Sequence, residues 1–285
     1  MHMRQYLNAC RTILCDGVEK GNRNGGTLSV HGMMMKFDLQ EGFPAVTTKK
    51  LQFKSVVAEL LGFIRGASNA KTFKELGTGI WDANATSDYW SANPNNKGDG
   101  DLGRIYGVQA RGWRAPNSLN IPDIDQLDIM VHKLLDRVDD RRNIVLHWNP
   151  GELDQMSLPA CHIMYQCHLR GSEMRTLDMT MYQRSCDFPL GVPFNVASYA
   201  LLMHIFCRIA NLKPGVLTWM GGDCHIYQNQ VGTMHQQVCR KPKPLPGISI
   251  HPSLKTLEDF ENATEDQFTL TEYEHHNDIQ HAFSV

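Results

Sequence analysis

Cys161 is the residue of this chain that is best placed to act as a nucleophile. It follows a short loop at the mouth of a strand predicted over 162–169, where a side chain can face a cleft rather than the core. A free thiol with a pKa of about 8.5 is only a few per cent thiolate at neutral pH, so nucleophilic attack requires nearby cationic charge. Arg184 and the adjacent Arg141 and Arg142 could supply it. A buried, inert cysteine is the commoner alternative for any single thiol.

Four arginines stand at turns or strand ends beside small or polar residues: Arg23, Arg141, Arg142 and Arg184. The planar guanidinium fork suits such residues to grip a phosphate with two hydrogen bonds. Taken singly, each arginine fits a solvated surface position better. The case for a shared phosphate site depends on the sequence strings that surround the four arginines.

Three Cys-His dipeptides, at 161–162, 167–168 and 224–225, raise the question of a zinc site. If the strand that begins at 162 is extended, Cys161 and Cys167 lie about 20 Å apart. A shared zinc ion needs each sulfur within about 2.3 Å, so these two cysteines cannot bind one ion. The sequence has no CxxC and no HExxH motif. We therefore predict no metal.

The composition indicates a folded protein that binds neither DNA nor a membrane. The chain has 285 residues, 42% of them apolar, and 28 Lys and Arg balance 30 Asp and Glu to a formal net charge of −2. Non-specific nucleic-acid binders are strongly basic instead. We find no apolar run of the roughly 18–20 residues that cross a bilayer, and no signal peptide. Eight scattered cysteines fit a reducing compartment, so we expect a cytoplasmic protein.

Helical and strand-like segments alternate along the chain. Apolar spacing predicts a helix over 3–19, a strand, a turn and a second strand over 27–37, and a helix over 54–65. Glu59 lies on the buried stripe of that second helix. Because a carboxylate is costly to bury, its position there requires a functional reason.

The rest of the chain continues the alternation, so the predicted class is mixed α/β in one domain. Residues 83–102 lack any sustained period and are the longest predicted loop, which we interpret as an insertion. A helix over 196–211 is almost wholly apolar and is predicted to be central and buried, closed by the Lys-Pro-Gly sequence at 213–215. The other predicted elements are a helix over 124–136 and strands over 143–148, 162–169 and 176–183, the last two joined by a turn at 170–171.

Eight strings of this sequence resemble the thymidylate synthase family, in family order, within a similarity that runs from about residue 3 to residue 285. They are GFPAVTTKK (42–50), IWD (80–82), GDLG (100–103), DRR (140–142), LPACH (158–162), YQRSCD (182–187), LGVPFNVASYA (190–200) and GGDCHIY (221–227).

The resemblance implies a fold and an assembly. It implies one catalytic domain over 1–285, of α/β (α+β) class, with a mixed twisted β-sheet covered by helices around a long central helix. It also implies a homodimer packed through the sheets and a C-terminal tail, about 273–285, that closes over the site.

The resemblance also implies a reaction. Cys161 would add to C6 of the uracil of dUMP, so that C5 becomes a carbon nucleophile toward the one-carbon unit of 5,10-methylenetetrahydrofolate, without a metal. Glu59 would act as general acid and base and order water, supported by Tyr106 and His162. The Asn195 amide offers a donor and an acceptor, which match O4 and N3–H of uracil.

The binding residues implied by the resemblance form three groups. Arg23, Arg184 and Ser185, with Arg141 and Arg142 from a second subunit, would hold the phosphate, and His225 and Tyr227 the ribose 3′-hydroxyl. Gln183, Asp187 and Asn195 would bind the substrate as well. Lys49, Trp81, Asp187, Leu190, Gly191 and Val285 would face the folate. Arginines shared between two subunits imply an obligate homodimer.

Five places depart from the usual family pattern: Gly62 and Ala110 where Trp is usual, Arg104 and Ala160 where Pro is usual, and a recast tail over 275–280. In this family an exocyclic methylene at C5 takes either hydride, which gives dTMP and dihydrofolate, or water, which gives 5-hydroxymethyl-dUMP. Hydride transfer needs a closed, dry site. Two small residues in place of Trp and a changed tail predict a looser seal.

The sequence therefore favours a dUMP hydroxymethylase by a narrow margin over a thymidylate synthase. Trp81 and Val285, both tied to the reductive step, are retained and favour the synthase. Hydroxymethylated pyrimidines would suggest a phage enzyme acting in the host cytoplasm. A non-catalytic nucleotide- or RNA-binding regulator on the same scaffold is a third alternative, because folds outlive functions. It would be indicated by loss of Cys161, Glu59 or a phosphate-binding arginine, and none is lost.

Overall fold

A six-stranded mixed sheet is the framework of the computed structural model, which describes residues 3–22, 25–115, 122–171 and 175–283. Its strands lie in the order β1-β2-β6-β5-β4-β3; β5 and β6 pair in parallel, and the other neighbours pair antiparallel. The strands are β1 (Val18–Asn22), β2 (Gly25–Asp38), β3 (Ile144–Leu146), β4 (His162–Arg170), β5 (Thr176–Asp187) and β6 (Lys213–Tyr227). The mixed α/β class is confirmed.

Ten described helices and a small second sheet complete the fold. The helices are α1 (Arg4–Asp16), α2 (Phe53–Ile64), α3 (Ala70–Glu75), α4 (Asp82–Ala85), α5 (Asp88–Ser91), α6 (Tyr106–Arg111), α7 (Gln126–Leu135), α8 (Gly191–Ala210), α9 (Val231–Val238) and α10 (Leu257–Glu261). The second sheet pairs β7 (Gly247–Ile250) with β8 (Phe268–Thr271), and 3₁₀ turns cover Pro150–Gln155, Gln228–Gln230 and Glu265–Gln267.

The two faces of the large sheet differ in burial. One cross-strand row points inward and is fully or almost fully buried: Met35, Trp219, Met181, Tyr165 and Val145. The next row along the strands points the other way and is partly or well exposed: Met34, Met220, Tyr182, Met164 and Leu146. This alternation follows from the two-residue period of a strand, and it leaves an apolar row on the outer face.

Helix α8 crosses from β5 to β6, as a parallel pair requires, and packs on both strands. It starts at Gly191, five residues before the predicted start, and ends at Ala210; the next residue, Asn211, has a φ of 51° and caps the helix in the left-handed conformation. Residues 213–215, which were predicted to close the helix, are instead the first residues of β6. By length and composition α8 could cross a membrane, which corrects the expectation for apolar runs, but most of it is buried in the protein as a core helix.

Two predicted elements near the N-terminus have different bounds. Helix α1 ends at Asp16 rather than 19, because Val18 already pairs with Ser29 in the β1–β2 ladder. Strand β2 is continuous, whereas the sequence predicted a turn within 27–37. Gly32 has a φ of 76°, which glycine adopts without steric cost, and pairing with β6 continues on both sides of it.

The predicted loop over 83–102 is more ordered than its composition indicates. It overlaps α4 and contains α5, two helices of four residues each. Trp90 of α5 is fully buried, and its indole N–H donates to the carbonyl of Asp101 at 2.7 Å. Single-turn helices held by one buried aromatic leave no period in a sequence, so the pattern could not predict them.

Gly62 leaves no gap beside the site. A Cβ at this position would lie 2.3 Å from Cε1 of Phe73, because the fully buried Phe73 ring occupies that volume. Phe73 packs against Phe63 and Trp81, with ring centroids 5.9 and 5.8 Å away. The expectation that Gly62 loosens the packing is therefore wrong at this position.

We expect Gly62→Ala to lower the free energy of unfolding by about 1–3 kcal/mol, because the added methyl group must displace Phe73. Urea unfolding at a fixed protein concentration measures the change. Gly232→Ala in α9 is the matched control: no heavy atom lies within 4 Å of its Cβ position, so it should be neutral or slightly stabilising. Equal midpoints for Gly62→Ala and the unmodified protein would contradict the packing account.

Candidate active site

The loop before Cys161 is held by Arg184. The Arg184 Nε donates to the carbonyl of Ala160 at 2.8 Å, and its Nη2 donates to the carbonyl of Pro159 at 2.9 Å. Its guanidinium carbon lies 4.9 Å from the ring centroid of Trp148. Arg184 on β5 thus fixes the backbone from which the thiol projects, a role that the sequence did not predict.

Cys161 is a partly exposed residue with polar groups beside it. Its backbone N–H donates to the Tyr106 hydroxyl oxygen at 2.7 Å. Desolvation raises the pKa of the thiol, and Arg184, Tyr106 and Ser185 act in the opposite direction without offsetting it. The thiol is therefore protonated at neutral pH in the free protein, and its activation needs the substrate or a base.

Glu59 on α2 is the buried carboxylate that the sequence singled out. Burial raises its pKa to about 8, and the hydrogen bond from Trp81 works against this shift. The Trp81 Nε1 donates to Glu59 Oε1 at 3.1 Å. At neutral pH such a group can give up or take a proton, which is what a general acid and base requires. Trp81, assigned to the folate side from the sequence, therefore also contacts Glu59.

His162 is a neutral imidazole stacked on Tyr106, with ring centroids 4.2 Å apart. Burial lowers the pKa of His162 well below its usual range, and neighbouring His147 lowers it further. The His162 Nδ1 lies 2.9 Å from the Tyr199 hydroxyl. Neither Tyr199 nor His147 was predicted: Tyr199 looks like part of the apolar stripe of α8. His147, whose Nδ1 lies 3.2 Å from the Tyr106 carbonyl, carries no motif signal.

Asn195 is oriented from behind by a buried glutamine. The indole N–H of Trp219 donates to Gln183 Oε1 at 3.0 Å, and because indole is a donor only, this fixes which amide atom is which. Gln183 Nε2 then donates to Asn195 Oδ1 at 3.0 Å and to the Ser185 carbonyl at 3.0 Å. Gln183 is 1% exposed, so the structure places this predicted substrate ligand behind Asn195.

A second group of predicted residues gathers where β5 and β6 end. Asp187 pairs across the strands with His225, and its carboxylate accepts from the N–H of Leu190 at 3.3 Å. Burial raises the pKa of Asp187, while His225 acts to lower it. The His225 ring also lies edge-on to Tyr227, with centroids 5.2 Å apart.

Lys49 and Gly191 join that group. Lys49 Nζ donates to the Pro189 carbonyl at 2.7 Å, and burial lowers the pKa of Lys49 to about 8 against the effect of Asp187. A Cβ on Gly191 would lie 3.5 Å from Asn195 Oδ1 and 3.7 Å from the Cβ of Asp187, so this glycine lies between Asn195 and Asp187. The predicted folate-facing residues Lys49, Asp187, Leu190 and Gly191 are thus neighbours around the first turn of α8.

Arg141 and Arg142 do not reach Cys161 in this chain. The Arg141 carbonyl accepts from Gln166 Nε2 at 2.8 Å, and Gln166 is five residues along extended β4 from Cys161, or about 16 Å. Arg142 is exposed and pairs with Asp140 at 3.1 Å. Arg23 and Val285 lie outside the described residues.

Across the described ranges, no group of three or more His, Cys, Asp or Glu side chains has the arrangement of a metal site.

Comparison with protein-family models matches residues 4–285 to the family described as Thymidylate synthase. Because the match covers nearly the whole chain, the protein belongs to the thymidylate synthase family. Members of this family are folate-dependent transferases that add a one-carbon unit to C5 of a pyrimidine nucleotide, with methylenetetrahydrofolate as cosubstrate.

We expect the limb of the pH profile of kcat/KM that reports Glu59 to lie near the pKa of about 8. Trp81→Phe removes a hydrogen bond that favours the carboxylate, so this limb should move to higher pH. Glu59→Gln should lose about 10²–10⁴-fold in kcat and abolish the limb. Steady-state kinetics between pH 6 and about 9.5 measure both effects.

Trp113→Phe is the control for that experiment. The Trp113 backbone pairs with Ile124, and within the described residues Trp113 is not among the groups that shift the pKa of Glu59. A limb that stays in place in Trp81→Phe would show that Glu59 is not the group that titrates.

Proposed function

We propose that the protein transfers the one-carbon unit of 5,10-methylenetetrahydrofolate to C5 of dUMP. Deprotonated Cys161 adds to C6, the ring electrons move toward O4, and C5 attacks the methylene carbon as one of its two carbon–nitrogen bonds breaks. Loss of the C5 proton and cleavage of the second carbon–nitrogen bond give the exocyclic methylene and tetrahydrofolate, and the Cys161–C6 bond breaks when the product forms. The observation that carries this proposal is the convergence of Cys161, Glu59 and the oriented Asn195 at one end of the sheet.

Asn195 supports uracil as the base. Its amide can donate to O4 and accept from N3–H, and Gln183 prevents the amide from turning over. Cytosine presents the opposite pattern, a donor at N4 and an acceptor at N3, so the same amide would have to reverse. Reversal would leave the buried Gln183 amide facing a donor, which costs about 1–3 kcal/mol.

Reduction of the methylene to a methyl group fits the packing better than hydration does, so the proposed reaction is that of a thymidylate synthase, with dTMP and dihydrofolate as products. Phe73 fills the volume beside Gly62, so the aromatic wall around Trp81 is complete there. The tail is docked, with Ile279 buried. A covered, dry site is what hydride transfer from tetrahydrofolate requires.

A second candidate, dUMP hydroxymethylase, is favoured by one observation at Ala110. This small residue lines a cavity of about 30 Å³ together with His147, His162, Ser198 and Tyr199. Most of the lining is apolar, with Leu60, Phe63, Ile64, Leu127 and Leu202 among its residues, so a water molecule there would depend on hydrogen bonds to the few polar side chains. Water next to His162 could capture the methylene and give 5-hydroxymethyl-dUMP, as expected of a phage enzyme that works in a host cytoplasm.

We also propose that the active form is a homodimer in the cytoplasm, packed through the outer face of the sheet. The exposed apolar row contains Met34 and Leu146, which are 59% and 39% exposed, and a second copy would cover it. Water-exposed rows of this kind mark interaction surfaces. A partner placed there could bring its Arg141 and Arg142 to the phosphate that Arg23, Arg184 and Ser185 hold.

Incubation with dUMP and methylenetetrahydrofolate should give dTMP together with dihydrofolate, which is followed by absorbance at about 340 nm and by chromatography of the nucleotide. A product that is 5-hydroxymethyl-dUMP, with tetrahydrofolate regenerated, would replace the synthase proposal by the hydroxymethylase. Cys161→Ala should be inactive in either case. Full biological function of Cys161→Ala would support a binding regulator instead.

Mixing two inactive variants tests the shared arginines. We expect Cys161→Ala and the double variant Arg141→Ala, Arg142→Ala each to lose activity alone, and a refolded equal mixture to recover about one quarter of it. A mixed dimer then has one site with both an intact Cys161 and intact partner arginines. If the arginines serve their own subunit, the mixture stays inactive.

A further inference from the structure

The C-terminal tail folds back over the loop that contains Lys49. The Tyr273 hydroxyl accepts from the N–H of Leu51 at 2.8 Å and donates to the Val46 carbonyl at 2.6 Å. Three residues later, the N–H of His276 donates to the carbonyl of Thr47 at 2.9 Å. These bonds fix the beginning of the tail, but they leave its last described residues to be held by other contacts.

His281 makes those contacts. It is 8% exposed, its Nε2 lies 2.7 Å from Gln237 Oε1, and its Nδ1 lies 2.8 Å from Thr233 Oγ1, both on α9. Gln237 Nε2 donates to Thr48 Oγ1 at 3.0 Å, so the Gln237 amide lies between His281 and Thr48. A chain of hydrogen bonds therefore joins the tail to the residue before Lys49.

The residue after His281 is tied to the substrate end of the sheet. The carbonyl of Ala282 accepts from Gln230 Nε2 at 2.8 Å, and Gln230 Oε1 accepts from the N–H of Tyr227 at 3.0 Å. Gln230 is fully buried and also bonds to Asp187. Gln230 thus links the docked tail to Asp187 and to Tyr227, and the Tyr273 hydroxyl lies 3.4 Å from the Lys49 carbonyl.

The charges around His281 oppose its protonation. Burial and then Lys49 lower the pKa of His281 to about 3. Asp187, Asp278 and Cys10 each act to raise the pKa of Lys49. Arg240, which follows α9, donates to the Asn277 carbonyl. Thr233 and Gln237, the α9 residues that contact the ring, carry no charge.

We propose that His281 is a positioning residue that docks the C-terminal tail onto α9 and, through Gln237 and Thr48, holds Lys49 on the folate-facing side. The docked tail binds the neutral ring. The docking free energy is therefore complete above the ordinary imidazole pKa of about 6.5 and falls as the pH drops from there toward the docked value of about 3. The part that concerns folate rests on the proposed function; the docking itself does not.

Hydrogen exchange of the full chain, followed by mass spectrometry and corrected for intrinsic rates, tests the docking. We expect the amides of 273–283 to lose about tenfold or more of their protection between pH 7.5 and pH 5.5, while the core strands keep theirs. His281→Leu should show the low protection at both pH values, since it removes two buried hydrogen bonds. Tail protection that is equal in His281→Leu and the unmodified protein overturns the proposal.

Two further variants keep the test informative. Thr233→Val removes one partner of His281 without changing the side-chain shape, so it should weaken tail protection even if His281→Leu does not fold. His235→Leu, on an exposed position of the same helix, should leave the tail unchanged. A loss of tail protection as large in His235→Leu as in Thr233→Val would mean that α9, and not the His281 contact, is responsible.

Kinetics test the link to Lys49. In His281→Leu we expect KM for methylenetetrahydrofolate to rise about tenfold, with KM for dUMP changed by less than about twofold. Equal rises in both constants would overturn the positioning of Lys49 by His281. If no substrate turns over even in the unmodified protein, the proposed function fails, and the exchange measurements still decide whether His281 docks the tail.

Discussion

The register between β4, β5 and β6 is the constraint on which the whole site depends. His162 pairs with Gln183, and Asp187 pairs with His225, so the start of one strand and the ends of two others meet at a single edge. Because side chains alternate along a strand, a slip of one residue would turn Gln183 away from Asn195 and Arg184 away from the Cys161 loop. The inward row from Met35 to Val145 makes such a slip costly, since it would expose a row of core side chains to water. The packing of the core therefore sets the geometry of the chemistry.

Burial then determines the protonation state of the groups that the register brings together. The same low-dielectric surroundings raise the pKa of Glu59, lower that of His162, and lower that of Lys49, so each group moves toward its neutral form. Glu59 and Lys49, with pKa values of about 8, can exchange protons near neutral pH, whereas His162 stays neutral. In the proposed reaction, the negative charge that develops on the pyrimidine would be met by fixed donors such as Asn195. Arg184 differs, because a guanidinium stays charged. It holds the Pro159 and Ala160 carbonyls by hydrogen bonds, and its positive charge acts to lower the pKa of the Cys161 thiol.

The sequence predicted local structure well, and it predicted poorly whatever depends on distant packing. Apolar periodicity located α2 and most of α8, and a buried carboxylate in a helix stripe was enough to single out Glu59. The turn expected near Gly32 was wrong, because the partner strand that keeps β2 extended lies almost 200 residues away. The first turn of α8 was missed because Gly191, Val192 and Pro193 have weak helical preference, and the residue before them, Leu190, is held by a hydrogen bond to Asp187. Gln183 was assigned to the substrate, since nothing in its string reveals that Trp219 and Asn195 flank it.

Gly62 and Phe73 show why a small residue in place of a large one does not by itself imply an open site. The two positions lie eleven residues apart in sequence, and the Phe73 ring occupies the volume that a side chain at Gly62 would fill. Interiors are packed to nearly constant density, so a lost ring is commonly replaced by a ring from another element. Ala110 differs, because a cavity of about 30 Å³ remains beside it. In the proposed reaction, the fate of the methylene intermediate depends on whether a water molecule in this cavity reaches the exocyclic methylene carbon past His162 and Tyr199, whose rings lie edge-on with centroids 5.3 Å apart. A hydrogen bond holds these two rings in place, and it joins residues from two separate strings of the sequence, so no single motif contains this contact.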